Sequence, residues 1–296
     1  MSENGKSVLN TILLIGLVLS SKVLAETPPL PSLSINPLEF EEKLREFTGA
    51  ADVQINGRLY RITERKSDHG RDLARQWLNQ EYQKIGFNTY LHVYGSGSNF
   101  IAEKTGKTKK IIVVSSHLDS VGNAGADDDG SGIIAALLIS KALSQVANNF
   151  TLRVIAFDQE EEGFLGSEAY LEKISTKDIV GDIQLEMIAY NSKKNGHFNL
   201  VDCKRPDSMF LGSSLIAQIQ GLHLPLTVKK SCSDESDHGS FWRKNIPAIA
   251  ITENFFGGDG DSCYHSSCDV VDNRLNFQYA SSISSAVAKM VYTIIK

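Results

Sequence analysis

A three-layer α/β fold, with a mixed but mainly parallel central sheet flanked by helices, is predicted by three features of the 296-residue sequence. Short apolar runs alternate along the chain with stretches whose apolar residues recur at helical spacing. Two of those runs, Ile111–Val114 and Leu152–Phe157, are almost continuously apolar, as strands covered on both faces require. A composition of 42% hydrophobic and 22% charged residues supplies one large core and excludes disordered, collagen-like and polytopic membrane classes. The formal net charge of -5 leaves no basic footprint for nucleic acid. Four cysteines cannot carry a chain of this length, so burial of apolar surface must.

The first element is an address. Lys6 precedes a largely apolar run, Val8 to Leu19, shorter than the ~20 residues that span a bilayer. Val23-Leu24-Ala25 then places small residues at the -3 and -1 positions of a cleavage site, which predicts a secretory signal peptide over residues 1–25. Its removal implies export to the periplasm or beyond, with no stable membrane association afterwards. The Pro-rich stretch Thr27 to Pro37 reads as a leader laid over the surface, extended over residues 26–36. Residues 37–296 are expected to form a single domain.

Within it, Ala74, Trp77, Leu78, Tyr82 and Ile85 recur at helical spacing, and Gly86 stops the helix. Phe87–Tyr94 follows, broken off by Gly and Ser, and Ile111–Val114 is a buried strand. Ile133–Leu143 continues as an apolar helix, Leu152–Phe157 as a second buried strand and Gly166–Ile174 as a short helix. Ile183–Ile188 is a strand, Met209–Ile219 a helix, and Ile246–Ile251 a strand containing Pro247. Phe277, Ala280, Ile283, Val287, Met290 and Ile294 lay one apolar stripe on a final helix.

Ligands of such sheets bind beyond the carboxyl ends of the strands. Ile111–Val114 runs into Ser115-Ser116-His117-Leu118-Asp119, and Leu152–Phe157 into Asp158-Gln159-Glu160-Glu161-Glu162-Gly163. The loop between them is Gly125-Ala126-Asp127-Asp128-Asp129-Gly130-Ser131-Gly132. Aspartates there suit the positive end of the next helix, yet His117 and the glutamates converge on the same edge. Glu186 lies inside the apolar run Leu185-Glu186-Met187-Ile188, where a carboxylate needs a partner or a cation unless it points to solvent from an edge strand. Tyr264-His265 sits between Cys263 and Cys268. A disulfide across that gap would stiffen the loop presenting His265. Four cysteines allow three pairings, and the one favoured joins these two and leaves Cys203 for Cys232.

Five motifs in this order, namely His117-Leu118-Asp119, Gly125 to Gly132, Glu160-Glu161-Glu162-Gly163, Ser236-Asp237-His238 and Tyr264-His265, resemble those of peptidase family M28. The likeness is to its co-catalytic zinc aminopeptidases, in particular secreted bacterial leucyl-type enzymes, and covers most of the chain beyond residue 70. The resemblance implies a zinc-peptidase-like fold, two zinc ions per chain, and hydrolysis of the N-terminal peptide bond of peptides with a free N-terminus. It also implies that His117 and Glu161 each bind one zinc, that Asp127 bridges the two, and that Glu186 shares the ion of His117 and His265 that of Glu161. Glutamate at 186 departs from the family's aspartate. Glu160 would be general base and then acid, Tyr264 would donate to the oxyanion, and Asp119 would orient His117 through its other ring nitrogen. Asp237, or its neighbours Asp234 and Glu235, would receive the substrate's ammonium. A non-prolyl cis peptide is expected between Asp127 and Asp128, while Asp128 and Asp129 shape the loop or cap the helix. His69, His92, His197 and His223 fall outside every motif. A one-zinc glutaminyl cyclase of the same fold, a carboxypeptidase of the same family and a non-catalytic binding module are the competing readings.

Overall fold

The computed structural model describes Met1 and residues 32–296; the expected signal peptide and the leader up to residue 31 lie outside the described residues. The first described helix, α1 (Pro37–Phe47), starts where the side chain of Asn36 accepts the Leu38 amide and proline fills the first turn. A small hairpin of β1 (Val53–Ile55) and β2 (Arg58–Tyr60) leads to α2 (Asp68–Lys84), capped by Ser67 and ended before Gly86, whose φ is 81°. Then follow β3 (Asn88–Val93), β4 (Ser98–Lys104), β5 (Ile111–His117), α3 (Gly130–Leu143), β6 (Thr151–Phe157), α4 (Leu165–Lys173) and β7 (Ile179–Glu186). The remainder is β8 (His197–Val201), α5 (Met209–Gly221), β9 (Thr227–Ser231), α6 (Asp237–Arg243), β10 (Ala248–Glu253) and α7 (Phe277–Ile295).

Eight strands form one sheet in the order β3-β4-β6-β5-β7-β10-β8-β9. Its centre, β6-β5-β7-β10, is parallel throughout, and β8 and β9 are also parallel to each other. Strand pairs β3–β4, β4–β6 and β10–β8 are antiparallel. Side chains alternate across this sheet into two separate apolar layers. Ile112 and Val114 of β5, Leu152 and Val154 of β6, Ile183 and Leu185 of β7, and Ile249 and Ile251 of β10 pack with α1, α2, α3, α5 and α7. Their neighbours Val113, Ile155, Phe157, Ala248 and Ala250 face the other way, against Tyr170 and Leu171 of α4 and Phe241 and Trp242 of α6. The expected three layers are therefore present, and the central strands are apolar because both faces are covered.

The expected helices and strands are all found, with bounds moved by a few residues, and two differences have physical causes. The strand expected at 246–251 begins only at Ala248, because Pro247 has no N–H to give a ladder; its carbonyl instead accepts the Asp182 amide at 2.9 Å. The strand expected to reach Ile188 stops at Glu186, since Met187 turns to φ 46°. At the described end of the leader Ser32, Ser34 and Asn36 are exposed, and Ile35 is buried with its amide donating to Ser285 Oγ at 2.9 Å. Helices α1 and α6 and strands β1, β2, β4, β8 and β9 went unread because they are short or mix charged residues into their apolar pattern.

Two substitutions test the layered core. Ile139 of α3 is fully buried, so Ile139→Ala is expected to cost about 2–5 kcal/mol in denaturant unfolding. Leu59 of β2 is 69% exposed, and Leu59→Ala should stay within about 0.5 kcal/mol of the unsubstituted protein.

Candidate metal centre

The carboxyl ends of the central strands carry the candidate site. His117 is the last residue of β5, Glu186 the last of β7, and Glu160 and Glu161 lie in the turn that follows β6. His265 arrives from the loop after β10, bracketed by the Cys263–Cys268 disulfide. The second disulfide joins Cys203 to Cys232, so both bridges follow the favoured pairing.

Asp128 stands between two histidine–glutamate pairs. One of its oxygens, Oδ1, lies 3.0 Å from His117 Nε2, and that nitrogen is 3.4 Å from Glu186 Oε1. The other, Oδ2, lies 3.4 Å from His265 Nε2, which is 3.0 Å from Glu161 Oε2. The position between the pairs was expected for Asp127, and the structure does not place it there. The Asp127 carboxylate is turned away, accepting the Ala189 amide at 2.8 Å, with Glu253 beside it. The non-prolyl cis peptide likewise joins Asp128 to Asp129 rather than Asp127 to Asp128. Three successive aspartates carry no register in the sequence, and only the folded loop distinguishes them.

Asp129 caps α3, as expected of a helix-capping residue. Its carboxylate accepts the amides of Gly132, Met187 and His117 at 3.0–3.1 Å, so both oxygens are committed to backbone although they lie close to His117 and Glu186. Asp119 does a similar task one loop away. It accepts the amides of Glu160 at 3.0 Å and Glu161 at 3.1 Å, while its distance to His117 Nδ1 is 3.6 Å. Asp269 holds the acidic loop from outside, accepting the amides of Asp127 and Asp128. Beneath the loop lies Arg65, fully buried, which donates to the carbonyls of Leu118, Ala124 and Gly125. A Cβ at Gly125, where φ is 57°, would stand 2.5 Å from that guanidinium, so glycine is required.

Glu186 does not lie at an edge; β7 is flanked by β5 and β10. Its Oε2 accepts from Gln184 Nε2 and from Ser236 Oγ, each at 2.8 Å, which leaves Oε1 facing His117. Crowding shapes the acidity of the cluster. Burial, with the carboxylates of Glu186 and Asp237 nearby, holds Glu160 well above the usual carboxylate range, and burial with Asp128 pushes Glu161 up to about 8. Burial opposes charge on His117, but Glu186 and Glu160 outweigh it and raise its pKa. Asp128 Oδ2 and Glu161 Oε1 are buried with no hydrogen-bond partner. Buried acceptors that lack donors, beside two imidazoles, fit a cation: nitrogen and carboxylate oxygen are the donors that zinc takes, and a divalent ion would relieve the repulsion. His117, Asp128 and Glu161 form a group able to hold a metal, and Glu186 also lies within reach of His117.

A cavity of about 220 Å³ opens beside this cluster. Asp128, Glu160, Glu161, Glu186 and His265 line one side, and Met187, Val201, Ala250 and Phe256 supply an apolar side. Tyr264 is at its edge, 40% exposed, with its ring stacked on His265 at 3.8 Å between centroids. Asp237 does not reach the cavity. As the first residue of α6 it is fully buried behind Ser236, whereas its neighbour Glu235 is exposed and lines the wall.

Comparison with known proteins shows what the chain is similar to in sequence and in fold. The model of peptidase family M28 matches residues 99–291. Leupeptin-inactivating enzyme 1 of Streptomyces exfoliatus is 30% identical over 255 residues, which are 76% of this chain and 56% of that protein. The zinc aminopeptidase BSAP of Bacillus subtilis superposes with a TM-score of 0.62 at 23% identity, over 68% of this chain and 50% of that one. A glutaminyl cyclase from Porphyromonas gingivalis superposes with a TM-score of 0.73 at 15% identity, over 89% of this chain and all of that one. At these identities the two structures share the fold with this chain, which spans about half the length of the first two proteins.

Zinc added to chelator-treated protein is expected to raise the melting temperature by about 5 °C or more once it exceeds its dissociation constant a hundredfold. In calorimetry, Asp128→Ala should abolish most of that rise and Asp127→Ala should retain it, whatever each substitution does to the metal-free protein.

Proposed function

Because the chain belongs to peptidase family M28, we propose that it is a metal-dependent aminopeptidase that hydrolyses the N-terminal peptide bond of peptides. One observation carries this reading: the two oxygens of Asp128 each face a separate histidine–glutamate pair. In it, His117 and Glu186 would hold one zinc ion and His265 and Glu161 a second, with Asp128 between the pairs. A zinc ion there would supply Lewis-acid polarisation of the scissile carbonyl and a lowered pKa for water.

The chain's own groups do the rest. Glu160, held just before Glu161 by the carboxylate of Asp119, takes a proton from the attacking water as its oxygen bonds to the carbonyl carbon. The carbon–nitrogen bond then breaks, and the same carboxyl returns that proton to the leaving amine. Tyr264, at the cavity edge, donates its hydroxyl to the oxyanion. Of Asp237 and its neighbours Asp234 and Glu235, Glu235 lines the cavity and faces the substrate's ammonium. Met187, Val201, Ala250 and Phe256 receive an apolar N-terminal side chain, in keeping with a leucyl-type preference. The two disulfides suit a protein that works outside the reducing cytoplasm.

Turnover of leucyl anilide should require a free amine and a bound metal. Glu160→Gln is expected to lower kcat by about 10²–10⁴ with metal content unchanged. A glutaminyl peptide cyclised without water, faster than leucyl anilide is hydrolysed, would replace this reading with the cyclase. Ala250→Leu should lower kcat/KM for the leucyl substrate by about 10–200-fold relative to the alanyl one, since the pocket loses the volume of the larger side chain.

A further inference from the structure

We propose that Gln159 is a positioning residue for Glu160, acting through the loop between β3 and β4, residues 94–97. The inference rests on the reading of Glu160 as the proton carrier. Gln159 has φ 59°, in the left-handed region that a glutamine enters only at a cost of roughly 1–2 kcal/mol. Such a conformation persists where the surroundings over-determine it, and here they do. Gln159 Oε1 accepts from Ser96 Oγ at 2.7 Å and from the Tyr94 hydroxyl at 3.1 Å, while its Nε2 donates to Glu162 Oε2 at 2.9 Å. The same Tyr94 hydroxyl lies 2.9 Å from the Asp158 carbonyl.

Two further observations show that the loop is built to reach this turn. A Cβ at Gly97 would stand 2.6 Å from the Tyr94 hydroxyl oxygen and 2.7 Å from both Asp158 Oδ2 and Gln159 Oε1, so a larger residue there would push these three side-chain ends apart. The Asp158 carboxylate is itself fixed by Arg71 Nε and Arg75 Nη1 of α2 and by the Ser98 amide, each at 3.0 Å. Asp158 therefore faces α2, and the left-handed step at Gln159 reverses the chain so that Glu160 faces the cavity. Downstream, Asp119 holds the Glu160 and Glu161 amides. Glu160 is gripped from both sides, and the upstream grip is a side chain. None of Tyr94, Ser96, Gly97 and Gln159 lines the cavity, so any effect they have on turnover is indirect, and Glu160 is the cavity residue next to Gln159 in the chain.

Gln159→Gly separates the two contributions, because glycine takes the left-handed conformation freely and keeps the turn while the anchor is lost. In the zinc-loaded full chain, kcat for leucyl anilide is expected to fall about tenfold with KM within twofold, as for a misplaced catalytic group. Metal content and melting temperature should not change. Ser96→Ala, which leaves the turn backbone untouched, should show a smaller loss of kcat with the same unchanged KM. If both variants keep kcat within twofold, or if lost turnover tracks lost metal or lost melting temperature, the positioning role is overturned. Undiminished turnover by Glu160→Gln would instead remove the assignment of Glu160 itself.

Discussion

Mutual repulsion among carboxylates at one edge of the sheet is the constraint on which the rest of this structure depends. Asp128, Glu160, Glu161 and Glu186 converge there with two imidazoles, in surroundings that penalise every unpaired charge. The chain answers with backbone amides, each a neutral donor that cannot wander. Asp119 collects the amides of Glu160 and Glu161, Asp129 those of His117, Gly132 and Met187, and Asp269 those of Asp127 and Asp128. Three acids turned to the backbone thus hold in place the loops that bring the other carboxylates together.

The sheet makes this convergence possible. Because β6, β5, β7 and β10 are parallel and adjacent, their carboxyl ends lie side by side, and every exit opens on the same edge. Burial of both faces fixes the register of these strands, since a slip by one residue would exchange the two apolar layers. The ends of the strands are therefore placed by the core, well away from the charges they carry.

Much of this was legible from the amino acids. The parallel strands announce themselves as apolar runs, and His117, Glu160, Glu161, Glu186 and His265 stand at the strand exits or in the cysteine-flanked loop where that pattern points. What failed was finer than an element. Among Asp127, Asp128 and Asp129 the side chains are chemically identical, and their three fates follow from the backbone path of one loop: toward Ala189, toward both histidines, and into the cap of α3. The choice between Asp237 and Glu235 was illegible for a related reason. A motif names a residue but not its direction, and at the start of α6 the chain turns that carboxylate inward and its neighbour Glu235 outward. The supporting role of Gln159 was invisible because its partners, Tyr94 and Ser96, lie more than 60 residues away.

Arg65 bears on how the acidic loop is held. It is a permanent cation lodged under the acidic loop, spending its donors on main-chain carbonyls, so the protein supplies some positive charge of its own. Together with the amides that Asp269 collects, it fixes the backbone of the loop from both sides, so the direction of each aspartate is set by main-chain bonds and not by its own carboxylate.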